Sequence, residues 1–169
     1  MQLRTRTAAT LAVAASFVGL VGLAPTVSAA ETPKASEGKY CATVVEPVKA
    51  GEKVSRVKNR VCADSRASAA AAVRQSASTL LMTWYDNANF GGGWNDLYGN
   101  FGPCDSAGYV LNTGLWRTSI SSFRTYNNCD GQQAVLNNGS GVLYYYGYAT
   151  SYVGDRANDN IETFKIFDA

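Results

Sequence analysis

Residues 120–126 read ISSFRTY and residues 161–167 read IETFKIF. Laid over each other they pair Ile120 with Ile161, Ser121 with Glu162, Ser122 with Thr163, Phe123 with Phe164, Arg124 with Lys165, Thr125 with Ile166 and Tyr126 with Phe167. Apolar, polar and aromatic characters coincide at most of these positions, which marks one closing strand written twice. The openings upstream correspond more weakly. WYDNANFGG (residues 84–92) matches VLNNGSG (residues 135–141) once two loop residues are deleted, which sets Leu136 in the place of Tyr85. Two units of roughly forty residues, each ending on a strand, predict two four-stranded Greek keys.

The text around the repeat agrees. All three Trp, and every other aromatic residue except Phe17 and Tyr40, lie beyond Leu81, together with most of the 16 Gly. Runs such as LLMTWYD, QQAVLNN, GVLYYYGY and ETFKIF are separated by NANFGGG, NTG, NNCDG, NNGSG and ANDN. Short aromatic and β-branched runs punctuated by Gly and Asn predict an antiparallel β-sandwich over residues 79–169.

These residues resemble the βγ-crystallin superfamily. Each motif of that family opens with an aromatic, four residues, an aromatic, one residue and a Gly, and residues 85–92, YDNANFGG, fit it from Tyr85 through Phe90 to Gly92. There the first strand folds over as a hairpin, the Gly takes a backbone angle barred to other residues, and the ring covers the bend. The second unit departs from the pattern, with Leu136 for Tyr85 and no aromatic matching Phe90. Within the superfamily the chain looks like small secreted proteins of actinobacteria, the metalloproteinase-inhibitor family and the crystallin-fold killer toxins. The resemblance implies an all-β sandwich of two Greek-key motifs and, as its leading activity, inhibition of a secreted protease. No motif carries an inhibitory contact residue over to this chain.

Ahead of residue 79 the composition changes. Arg4 and Arg6, an uncharged stretch over residues 8–24, Pro25 and the small residues Val27-Ser28-Ala29-Ala30 form a secretory signal peptide over residues 1–30. The stretch is short and rich in Ala and Gly for a membrane span, so the expected location is extracellular, with no membrane contact after cleavage. Residues 31–38 read as a mobile mature N-terminus. KYCATVVEPV and VSRVKNRVC, joined through KAGEK, read as a hairpin, and Asp64-Ser65 can cap a short helix through RASAAAAVRQSA. That helix has so little apolar bulk beyond Val73 that a linker is the alternative reading. Residues 31–78 are thus a linker, hairpin and short helix.

Four cysteines, Cys41, Cys62, Cys104 and Cys129, suit two disulfides in an exported chain. Three pairings are open. The sequential one is favoured because each pair then stays within one compositional half, closing loops worth ~3 kcal/mol apiece.

With no His, a histidine general base, a His-ligated zinc and an imidazole switch are excluded. The formal net charge of +2 is too small for a nucleic-acid binder. Residues 31–80 are net basic and residues 81–169 net acidic, which favours mutual attraction within one molecule over steering of a partner.

Three sites compete for a function. The resemblance implies a calcium site just before each closing strand, which here would combine Asn158 and Asp159 of the second unit with Ser121 of the first. Arg117 opposes the other site, and turn capping accounts for the same residues. Tyr144, Tyr146 and Tyr148 alternate along one strand and point away from Leu143 and Tyr145. They could stack on cell-wall sugar or anchor a protein, or else pack against residues 39–78. Asp155, Asp159 and Glu162 cluster near one loop without a nucleophile motif, so no catalytic residue is assigned.

The expected protein is a monomeric, secreted, non-catalytic binding module with no required cofactor. Protease inhibition would come through a rigid loop at residues 91–100 or within residues 104–129. The alternatives are a calcium-stabilised structural or stress protein and a wall- or sugar-binding toxin.

Overall fold

The computed structural model describes residues 40–77, 79–137 and 139–169. The signal peptide expected over residues 1–30 and the mature N-terminus ahead of Tyr40 lie outside the described residues.

Alternation of apolar and polar residues sets the strands of the duplicated part. The first unit comprises β3 (Thr79–Asn87), β4 (Gly91–Gly99), β5 (Tyr109–Asn112) and β6 (Ser122–Thr125). The second comprises β7 (Gly131–Leu136), β8 (Val142–Tyr146), β9 (Ala149–Thr150) and β10 (Ile161–Phe167). Each unit keeps three strands in one sheet and sends its third strand to the other. The first sheet runs β4-β3-β6-β9 and the second β5-β10-β7-β8. This is the all-β sandwich of two Greek-key units predicted from the repeat.

The repeat sits at the centre of the core. Phe123 and Phe164, equivalent in the two closing strands, meet edge to face with ring centroids 5.2 Å apart. Ile120 and Ile161 are fully buried beside them. The neighbours of the two rings differ in size. Phe123 pairs with Trp84 across β6–β3, whereas Phe164 pairs with Ala134 across β10–β7. The large indole of one unit thus complements the small methyl of the other and stacks on Phe164 at 6.2 Å.

The same ladders correct the alignment of the openings. Ser122 pairs with Tyr85, and its repeat partner Thr163 pairs with Val135. Val135, not Leu136, therefore holds the place of Tyr85; an irregularity between Ile161 and Thr163 takes up the extra residue. Further along, Trp84 faces Asn95 and Ala134 faces Leu143. Counting from these partners makes Asp96 of β4 equivalent to Tyr144 of β8, and Tyr98 equivalent to Tyr146.

NANFGGG is mostly not a separator. Asn89 and Phe90 reverse the chain with φ of 57° and 63°, and pairing resumes at once between Asn87 and Gly91. Gly92 sits at φ +78°, where a Cβ would run into the Asp86 carboxylate that accepts a hydrogen bond from the Gly93 amide at 2.7 Å. Tyr85 and Phe90 close over the bend edge to face at 5.7 Å, and the Arg124 guanidinium lies 4.0 Å above the Phe90 ring.

The chain before residue 79 extends the first sheet. β1 (Tyr40–Val45) and β2 (Val57–Ala63) form the expected hairpin, and β1 pairs in parallel with β4 to give β2-β1-β4-β3-β6-β9. Cys41 and Cys62 face each other across the hairpin and are bonded; Cys104 bonds Cys129, so both disulfides are sequential. Helix α1 (Arg66–Val73) starts at Ser65, whose hydroxyl accepts from the Ser68 amide. It is no linker. Its alanines allow close approach, and Ala69, Ala70 and Val73 form a second small core with Ala42, Val44, Ala77 and Tyr98. The far end of the hairpin reaches the other sheet: the Ser55 amide donates to the Val110 carbonyl at 2.7 Å, and the Val110 amide to the Ser55 hydroxyl at 3.1 Å. Residues 40–77 therefore continue the first sheet beyond β4 and touch β5 at the end of the second.

Candidate functional site

Two of the surfaces weighed from sequence change character in the structure. Residues 91–99 form β4, held between β1 and β3, so they cannot project as an inhibitory loop. The packing of the tyrosine run against residues 39–78 is also excluded, because that segment covers the other sheet.

Tyr144 and Tyr146 share the outer face of β8, with side chains 59% and 71% exposed. Leu143 and Tyr145 point inward, where the Tyr145 hydroxyl donates to the Val153 carbonyl at 2.7 Å. Tyr148 is 52% exposed but stands past the bend at Gly147 (φ +93°), and its carbonyl accepts from the Thr125 amide of β6. The structure thus unites Tyr144 and Tyr146 and carries Tyr148 toward the other sheet.

On the equivalent strand the outer face is closed. Asp96, the counterpart of Tyr144, is buried under Arg66 of α1. The guanidinium donates from Nε to Oδ2 at 2.8 Å and from Nη2 to Oδ1 at 2.7 Å, and the Thr83 hydroxyl adds a bond at 2.6 Å. Burial opposes the Arg66 charge, but the hydrogen bonds and field of Asp96 outweigh it and raise its pKa above the ordinary arginine value. Tyr98, the counterpart of Tyr146, is 8% exposed.

The calcium residues come to one end of the sandwich. The Val153 amide donates to the Ser121 carbonyl at 3.0 Å, and the Asp159 amide to the Ile120 carbonyl at 3.2 Å. Their side chains serve the turns. The Ser121 hydroxyl donates to the Asp86 carbonyl at 2.9 Å, and the Asn158 amide donates to Asp159 Oδ2 at 2.8 Å. Calcium asks for six to eight oxygens with several carboxylates. This set offers one carboxylate, already hydrogen-bonded, and does not match that demand. Among the described residues there is no group of three or more His, Cys, Asp or Glu placed to hold a metal.

The side chain that sequence reasoning missed is Phe101, in residues 100–108 between β4 and β5. It stands 71% exposed. The backbone around it is tied down. Asn100 donates to the Val45 carbonyl at 3.3 Å, and the Tyr109 hydroxyl to the Gly102 carbonyl at 3.0 Å. The Cys104 amide donates to the Asn127 carbonyl at 2.9 Å beside the disulfide to Cys129, and the Gly108 amide to Asp105 Oδ1 at 2.8 Å. An open polar cleft lined by Arg74, Gln75, Ser76 and Asn100 lies alongside. The available signal was a lone aromatic among Asn, Gly and Pro in NFGPC: turn residues leave such a ring no strand face on which to be buried.

Both disulfides fit an oxidising compartment, and no helix among the described residues is long and apolar enough to cross a membrane. No family model matches the chain, and no curated protein matches it. Among solved structures it is similar to a βγ-crystallin domain from Clostridium beijerinckii (20% identity, TM-score 0.37, 53% of this chain and 99% of that one). A single mutant of that domain gives 19%, 0.38, 53% and 99%, and a double mutant 22%, 0.38, 54% and 100%. The fold assignment rests on the strand order above.

Proposed function

We propose that this protein is a secreted, non-catalytic binding module that inhibits an extracellular protease, with a metalloprotease as the first target class, by presenting residues 100–108 to the enzyme's cleft. One observation carries the reading: a large aromatic side chain is held out in water on a loop whose backbone is fixed from both ends. Exposing a phenyl ring costs free energy in the monomer and returns it on contact with an apolar pocket. Pre-ordering the loop lowers the entropy lost on binding, and a central aromatic is the usual dominant anchor of an interface. The metalloprotease class comes from the family resemblance; the residues themselves supply the rigid, exposed anchor. The reading draws on no cofactor.

The test is titration of protein recovered from the medium of an exporting host against a panel of extracellular metallo- and serine proteases. Stoichiometric inhibition of at least one enzyme is expected. Phe101→Ala should weaken it about 30-fold, the loss of one anchor worth ~2 kcal/mol, without lowering the melting temperature. Inhibition of no enzyme in the panel, or undiminished inhibition by the variant, would overturn the reading.

A further inference from the structure

The sandwich has four terminal strand edges, and three of them are protected. β2 ends the first sheet and carries Lys58 and Arg60; β9, at that sheet's other end, is two residues long. β5 ends the second sheet, is four residues long, and is fastened by Ser55. Charge, shortness and cover are the usual means of preventing unwanted strand pairing. β8, the remaining edge, is five residues long and, among the described residues, has neither charge nor cover. Its sequence VLYYY has no charge and no Pro, and among the described residues only β7 pairs with it.

Hydrogen-bond parity gives the direction of its free backbone groups. The Gly147 amide bonds the Asp130 carbonyl at 2.7 Å, and the Leu136 amide bonds the Gly141 carbonyl at 3.0 Å. In an antiparallel pair such residues alternate with those whose N–H and C=O face away. Gly141, Leu143, Tyr145 and Gly147 therefore face β7, and Val142, Tyr144 and Tyr146 face the open edge. The two exposed tyrosines thus offer rings on the outer face and backbone donors and acceptors at the rim.

A second observation shows what fits such an edge. On the equivalent strand of the first unit, β1 lies parallel to β4, with Ala42 opposite Asp96 and Val44 opposite Tyr98. Ala42 and Val44 then pack beside the Tyr98 ring. Substituting equivalent residues sets small apolar side chains opposite Tyr144 and Tyr146.

We propose that β8 is a strand-addition site that takes an extended, uncharged segment of another protein. The segment would become the fifth strand of the β5-β10-β7-β8 sheet, parallel to β8, with small apolar residues at alternate positions against Tyr144 and Tyr146. Main-chain bonds supply the affinity and the two rings the register. The site does not depend on the inhibitor reading, because residues 100–108 lead into β5 at the opposite edge of that sheet.

The test is a phage-displayed library of random peptides panned on the full chain, with counter-selection on the double variant Tyr144→Lys/Tyr146→Lys. The strongest peptide is then synthesised and titrated by amide NMR. The double variant places charge on an exposed rim and should melt with wild type. Expected are uncharged peptides with small apolar residues at every second position, shifts and exchange protection at the Val142, Tyr144 and Tyr146 amides, and binding weakened about tenfold or more in the double variant. Peptides that map elsewhere, or none enriched over the variant, would overturn the proposal. So would protection of these amides in the free protein: independent of concentration it would mean the chain's own cover, and rising with concentration a second copy. Shifts with chitohexaose at the tyrosine rings, without protected amides and without an enriched peptide, would assign the face to sugar instead.

Discussion

The two Greek keys share a closing strand and a core position for its phenylalanine, yet their second strands meet opposite fates. β4 is an interior strand, flanked by β1 and β3 and roofed by the alanines and Arg66 of α1. β8 is an edge whose outer face is in solvent. Tyr98 and Tyr146 occupy equivalent positions and differ in exposure from 8% to 71%. The same residue type at the same place in a duplicated scaffold is a core side chain in one unit and a solvent-facing one in the other. The short N-terminal arm decides which. Duplication supplies the frame, and the arm decides which outer face stays in solvent.

The largest effect expected from this contrast is on stability. Tyr98→Ala removes a buried ring from the small core under α1 and should cost ~3 kcal/mol, the lower range for truncating a core aromatic. Tyr146→Ala removes one already in water and should stay within ~0.5 kcal/mol. Urea unfolding of the two variants under one set of conditions measures the difference. Equal losses would mean that β8 is covered, and the comparison would collapse.

The bends that open the two units differ in a similar way. At Gly92→Ala the methyl meets the Asp86 carboxylate at a positive φ, so left-handed strain adds to the loss of the Asp86–Gly93 hydrogen bond. The two together should cost ~2–3 kcal/mol. Gly139, in the turn between β7 and β8, also has a positive φ of +68°, but a Cβ there meets nothing within 4 Å. Gly139→Ala should therefore cost only the strain, ~1 kcal/mol. Denaturation midpoints that fall equally would show that the first bend is no tighter than the second.

Legibility in the sequence followed how local each signal was. The closing strands were readable because Ile120, Phe123, Ile161 and Phe164 are all fully buried, and burial on both copies keeps both spellings alike. Cysteine pairing was readable because each partner lies nearby in the chain. The openings were readable only to within a residue, since the irregularity near Ile161 exists in the ladder and not in the text. The role of the Ala-rich helix was hidden because small residues signal close approach only when the opposing surface is known. No residue in β1 announces that it pairs with β4, for parallel pairing between segments separated by a helix and two strands leaves no local mark. The shared face of Tyr144 and Tyr146 followed from strand alternation, but its exposure and its open edge did not, because both depend on which flank the arm covers. Phe101 was passed over since a single aromatic in a turn has no period to read.

The smallest effect concerns the inward face of β8, where Tyr145 stands in the place that Leu97 holds in β4. A phenol in a leucine's position is tolerated because its hydroxyl reaches the Val153 carbonyl, while burial pushes its pKa up from the ordinary 10.0 to about 12. The unfolded chain releases this proton near pH 10 and the folded chain holds it until about pH 12. Between those values the native state binds more protons, so the contribution to stability is complete below pH 10 and is lost as the pH rises toward 12. Tyr145→Phe should begin ~1 kcal/mol below wild type at neutral pH, from the lost hydrogen bond, and the gap should close and then reverse across that window because Phe has no proton to release. Urea midpoints of both proteins, measured stepwise through the alkaline range, give the two curves. Convergence places the Tyr145 ring inside the sandwich and makes the alternation along β8 real. Curves that stay parallel would put the phenol in water, and the inner face of the second unit's edge would then be as open as its outer one.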